Sequence, residues 1–191
     1  VQQFRALIVY ANQVLVPVIA DLQEKDHDRI RAVYSTNNNL IFYLALPLFT
    51  LIITSIPLIS EIWIGHYERI FVDFGILLSI AWFFNTLNVP AYIANMGTGD
   101  LRWNVIGTIT HGILNAFLGV ILGVMFNGFG VVVARVIAIS LGGGTVYVAY
   151  HLTHRIPLSE LFPEKSRAMF AFCIIILLAS FFLQCEFNHV E

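Results

Sequence analysis

The sequence predicts an all-helical integral membrane protein with about six transmembrane helices. Three observations lead there. Of 191 residues, 58% are hydrophobic and only 12% are charged, whereas soluble domains carry about 25% charged residues. Mean hydropathy is +0.80. The apolar residues also come in blocks of roughly 20, the length a helix needs to cross the hydrocarbon core. The same composition excludes a disordered chain. A net charge of −2 leaves no basic excess for nucleic acid, so no nucleic-acid partner is expected.

The first span runs from near Gln2 to Leu22. It starts within a helical pattern at Val1, without a leader, so the chain reads as a fragment of a longer protein. The second span is Asn38–Ser60, free of Asp, Glu, Lys and Arg. The third is Ile70–Ala94, with Asp73 near its start. The fourth is Trp103–Phe126 and the fifth Phe129–His151, which carries Arg135. The sixth is Arg167–Cys185. Of the polar breaks, Asp21–Asn37 is the most charged, and its Asp28–Tyr34 part has the spacing of an interfacial helix that extends the second span. Asp26-His27-Asp28 reads as a solvated turn. Glu61–Arg69, Gly97–Arg102 and Asn127–Gly128 are the next turns, the last a minimal one. Pro157 and Pro163 bracket an amphipathic turn at the membrane surface.

Lysine and arginine counts orient the spans. Lys25, Arg29, Arg31, Arg102, Arg155, Lys165 and Arg167 fall on one side and Arg69 alone on the other. The first side is therefore cytoplasmic. Pro47 and Pro90 each remove a helical hydrogen bond and are candidate hinges. Gly142-Gly143-Gly144 interrupts the fifth span, either to let helices approach closely or to permit bending. Cys173 and Cys185 read as reduced packing residues.

Polar side chains inside a span are costly and each needs an explanation. Arg135 lies about six residues past the outer start of its span, roughly 9 Å deep at 1.5 Å per residue. It either snorkels or pairs with an Asp, or it faces a central cavity and meets an anionic group such as phosphate. Arg5 and Asp73 are at a similar depth, so an Arg–Asp pair is one reading and a substrate-facing arginine the other. Asn85 and Asn88 are three apart on one helix face, and His111 and Asn115 four apart on another. These four either hydrogen-bond between helices or line a cavity and touch sugar or phosphate oxygens. His111 also has the intrinsic pKa to exchange protons near neutrality. No HExxH, CxxC, GxSxG or P-loop pattern occurs, so neither a metal, a cofactor nor an ATPase is expected.

Several segments, in order, resemble the C-terminal part of polysaccharide transporters of the O-antigen flippase type. That family belongs to the multidrug/oligosaccharidyl-lipid/polysaccharide exporter superfamily. The segments are Pro17-Val18-Ile19-Ala20-Asp21-Leu22 with the charged run to Arg31-Ala32-Val33-Tyr34, Leu46-Pro47-Leu48, Trp63-Ile64-Gly65-His66-Tyr67, Pro90 through Gly97 to Arg102, and Asn115 with Phe129-Gly130. They cover most of residues 10–155. Arg135, where a small or apolar residue is expected, and the Gly142–Gly144 run depart from the pattern. The resemblance implies two six-helix bundles around a cavity. Residues 1–155 would be the second bundle, truncated at its N-terminus, and 156–191 an interfacial turn plus an additional span.

It implies a plasma (inner) membrane, multi-pass, non-enzymatic flippase. Its cargo would be an undecaprenyl-diphosphate-linked oligosaccharide for lipopolysaccharide and other surface polysaccharides. Its partners would be that substrate, membrane lipids and other polysaccharide-assembly proteins. The residues that would bind substrate are Arg135, Arg5, Asn85, Asn88, His111 and Asn115. A multidrug antiporter of the same superfamily would want a carboxylate deep in the cavity. A membrane glycosyltransferase or ligase would want long outer loops, which the short breaks do not supply.

Overall fold

Residues 2–25, 27–157, 163 and 166–187 of the computed structural model are described here. Among them every regular element is helical. In order they are α1 (Gln2–Gln13), α2 (Leu15–Lys25), α3 (His27–Ile64), α4 (Arg69–Leu87), α5 (Val89–Thr98), α6 (Arg102–Thr153) and α7 (Arg167–Phe187). By length and composition, four stretches can cross a membrane: Gln2–Gln23, Arg29–Ile64, Arg69–Thr98 and Arg102–Thr153. These contain the first five expected spans. The sixth coincides with α7, whose described apolar stretch is Ala168–Ala179.

Proline and glycine place most of the breaks. Only Val14 separates α1 from α2, and Pro17 sits in the first turn of α2, where its missing N–H costs nothing. Asn88 alone separates α4 from α5, and Pro90 is the second residue of α5. Pro47 and Pro57, by contrast, lie inside α3, which continues through both. Thr50, Thr54 and Ser55, just after Pro47, return their hydroxyls to carbonyls three or four residues back, a habit that bends helices slightly. The interfacial segment expected at Asp28–Tyr34 is the start of this same helix. The amphipathic turn expected at 157–166, Asp26, and the side chains of His27, Asp28 and Cys185 lie largely or wholly outside the described residues.

α6 is two antiparallel arms. Asn127 interrupts it at φ 53°, ψ −138°, and contacts on either side pair Gly107 with Val146, His111 with Gly142, and Gly123 with Val131. The minimal turn expected at Asn127–Gly128 is thus present. Glycine lets the arms touch: a Cβ on Gly107 would sit 2.5 Å from Val146, one on Gly142 would sit 2.6 Å from the His111 Cβ, and one on Gly130 would overlap the Leu122 carbonyl oxygen. The helix is continuous through Gly142–Gly144, so the run does not interrupt the span. Its first two glycines are close-approach positions, and nothing lies near the third.

The Asn127 backbone occupies a region that L side chains rarely adopt. Replacing it with Gly is expected to raise stability by about 1 kcal/mol, read as a higher unfolding midpoint in detergent with unchanged helix content. α6 closes with a second left-handed residue, Arg155 (φ 53°). There the Ile156 N–H reaches the His151 carbonyl and the Arg155 N–H the Leu152 carbonyl, the Schellman pattern that glycine usually completes.

α4 packs against both α3 and α6, α2 lies on α5, and α7 lies on α3. One core joins Ile8, Ile19, Ile30, Tyr34, Val89, Ile93, Val146 and Tyr150; a second joins Phe42, Leu46, Leu87 and Cys173. Cys173 is buried and free, as a packing residue should be. Elsewhere the surface is greasy. Trp63 and Val124 are 81% and 82% exposed, and long stretches of α6 face outward. Such a surface suits lipid or further protein rather than water.

Candidate functional site

The polar residues inside the spans gather where α1, α4 and the two arms of α6 meet. The last turn of α4 carries Asn85, and its C-cap is Asn88. Both amide nitrogens lie over Gly143, within 2.7 Å of where a Cβ would stand. Gly143 is therefore a notch that lets two asparagines reach the second arm of α6. Asn85 donates to the Ile139 carbonyl at 3.3 Å. Ile139 is one turn from both Arg135 and Gly143. His111, on the first arm, leans on Gly142. Arg5 and Arg135 both lie within electrostatic reach of the His111 ring. From α1, Arg5 also stands over Trp82, its guanidinium carbon 5.5 Å from the ring centroid.

Three atoms of this cluster are buried without a hydrogen-bond partner: Arg5 Nε, Asn88 Oδ1 and His111 Nε2. Asn88 is only 5% exposed. Buried polar atoms are nearly always paired, so each exception calls for a reason. Among the described residues, no carboxylate is within ion-pair distance of Arg5 or Arg135. Asp73 instead faces Arg69 at 3.8 Å on an exposed surface. The Arg–Asp reading of this layer is therefore not what the structure forms. The arrangement is electropositive and holds three buried polar atoms without a hydrogen-bond partner. Chemically it can hold an anion and the hydroxyls next to it.

Five of the six residues singled out from sequence, Arg5, Asn85, Asn88, His111 and Arg135, thus meet in one region. Asn115 is half-buried one turn from His111 on the same face and makes no hydrogen bond among the described residues. Pro90 lies directly beside the Asn88 break, so a candidate hinge adjoins the cluster. Pro47 is exposed on α3, away from it. Among the described residues no group of three or more His, Cys, Asp or Glu could hold a metal ion. A cavity of about 160 Å³ between α3, α4 and α7 is lined by Phe49, Phe83, Phe170 and Cys173. It is apolar and separate from the cluster.

A second polar group escaped the sequence reading. His151 is fully buried, and its Nε2 lies 2.7 Å from the Tyr34 hydroxyl. Tyr147 donates to Asn38 Oδ1 at 2.9 Å and shares a side-chain hydrogen bond with Tyr34. The Tyr34 ring rests on Tyr150 at 4.5 Å. The signal was present as spacing: Tyr34 and Asn38 are four apart, as are Tyr147 and His151. Asn95 and Asn104 form a third polar link, with Asn104 donating in turn to the Tyr92 carbonyl. It pins α5 to the start of α6 across the Gly99 turn.

Comparison with family models, with curated proteins and with solved structures finds no match to this chain.

Proposed function

We propose that this chain is the second half of a membrane flippase for a lipid-linked oligosaccharide with a diphosphate head, of the polysaccharide-exporter kind, with six spans in the plasma membrane. The observation that carries the reading is the cluster of Arg5, Arg135, His111 and Asn88, cationic and, among the described residues, without a carboxylate. A diphosphate-sugar head cannot cross hydrocarbon unaided, because burying its charge unpaired is prohibitive. Two guanidiniums offset that cost through bidentate, charge-assisted hydrogen bonds. Asn85, Asn88, His111 and Asn115 supply donors and acceptors for oxygens beside the phosphates. The break at Asn88 and Pro90 lets α4, which carries Asn85 and ends at Asn88, tilt as access alternates. The same electropositive character disfavours a cationic drug as cargo.

The test is surface-glycan export in cells carrying Arg135→Ala or Arg5→Ala. A hydrogen bond to a charged group is worth about 1.5–3 kcal/mol, so each substitution should slow export roughly ten- to a hundredfold. Membrane insertion and protein level should not change, and Arg135→Lys should keep part of the rate. Export at the wild-type rate in both alanine variants overturns the proposal.

A further inference from the structure

Arg5 is an odd tenant. Its guanidinium rests on the Trp82 ring, its Nε is buried without a partner, and no described carboxylate neutralises it. Cation–π contact is worth about 0.5–2 kcal/mol, less than a charge-assisted bond to an anionic oxygen. An arriving anion can therefore compete with the indole for this arginine. Among the described residues of α1, only Ile8 is buried.

What lies beneath is an aromatic face in the right place. Trp82 and Asn85 are three apart on α4 and share a face, and Asn88 continues the line. The Asn85 and Asn88 amides lie over Gly143, next to the Gly142 that His111 touches. A group directly attached to that anion would reach the indole and the amides together. We propose that Trp82 is a carbohydrate-stacking platform, covered by Arg5 at rest and uncovered when a diphosphate draws the guanidinium away. The ligand class is a lipid diphosphate whose first substituent is a sugar ring. The C–H face of that ring lies on the indole, and its hydroxyls meet Asn85 and Asn88. This inference rests on reading the cluster as a head-group site, and it adds the part that tells a glycosylated diphosphate from a bare one.

The chain has three tryptophans, so Trp63→Phe with Trp103→Phe leaves Trp82 as the only indole of these 191 residues, and the emission that Trp82→Phe removes is its own. The protein in lipid nanodiscs is titrated with inorganic pyrophosphate, with a polyprenyl diphosphate, and with the same lipid bearing one sugar. Affinity is read by calorimetry and the state of the ring by Trp82 emission. Emission should shift with all three ligands and stop shifting in Arg5→Gln. The glycosylated lipid should bind about tenfold tighter than the bare one, the scale of one aromatic contact. Trp82→Leu should erase that preference while still binding the bare diphosphate, and Trp82→Phe should keep part of it. Equal affinity for the two lipids in the wild type, or an unchanged preference in Trp82→Leu, overturns the platform and leaves the diphosphate site standing. Failure of every diphosphate to bind overturns the site itself, and the platform with it.

Discussion

Replacing Gly130 with alanine is expected to destabilise the protein by about 3 kcal/mol. The added methyl would overlap the carbonyl oxygen of Leu122 on the facing arm of α6. Backbone cannot swing aside as a side chain can, so the arms must part just beyond their turn. Parting them separates every pair further along, including Gly107 from Val146 and His111 from Gly142, and so loosens the wall that holds Arg135. Gly112 is the control. It lies in the same helix with nothing within 4 Å of its missing Cβ, so Gly112→Ala should be neutral or raise stability by about 0.5–1 kcal/mol through helix propensity. Unfolding midpoints of the two variants in detergent decide the matter. Similar midpoints for both would mean that the arms are not in contact at Gly130.

The second large effect lies at the other end of the same arm. Directions in the buried chain can be assigned from its far end. Asn38 Oδ1 only accepts, so the single proton of Tyr147 goes to it. Tyr34 then donates to Tyr147, which leaves the Tyr34 oxygen to receive a proton from His151 Nε2. A chain with every donor aligned strengthens each link, and it penalises the loss of any one. His151→Leu and Tyr34→Phe should each cost about 2 kcal/mol, from lost bonds and stranded buried groups. The double variant should cost less than the two added together, by about 1 kcal/mol. Strict additivity in that double-mutant cycle would show that the two residues do not act as a unit.

Much of the architecture was legible because apolar blocks and their breaks are strong signals. Asn127-Gly128 announced its turn, and Gly97–Arg102 announced another. The helical extension ahead of the second span followed from the spacing of Asp28–Tyr34, but α3 starts at His27, so His27 and Asp28 are helical where a solvated turn was expected. The candidate cluster was legible for a related reason. In a chain with so few charges, an arginine, a histidine or a pair of asparagines within a span stands out, and five such residues lie in one region. Two things did not follow from pattern alone. Asp73 was placed at the right depth to meet Arg5 or Arg135, but depth says nothing about azimuth, and the carboxylate faces Arg69 instead. The Tyr34–Tyr147–His151 group was overlooked because tyrosine in an apolar helix looks like ordinary packing. Only the two i, i+4 pairs on separate helices hinted that the hydroxyls face one another. The Gly142–Gly144 run also needed coordinates: pattern could not say that the first glycine admits His111, the second admits two amides, and the third admits nothing.

The brevity of the α6 turn has a bearing on biogenesis. Two residues, neither of them charged, are all that link the arms, so almost no hydrophilic loop has to be dragged across the hydrocarbon as the arms enter a bilayer. The pair is suited to leave the insertion machinery already folded on itself, as one wedge rather than two successive rods. Arg135, seven residues beyond the turn, would then cross with the amides of its neighbours close at hand rather than alone.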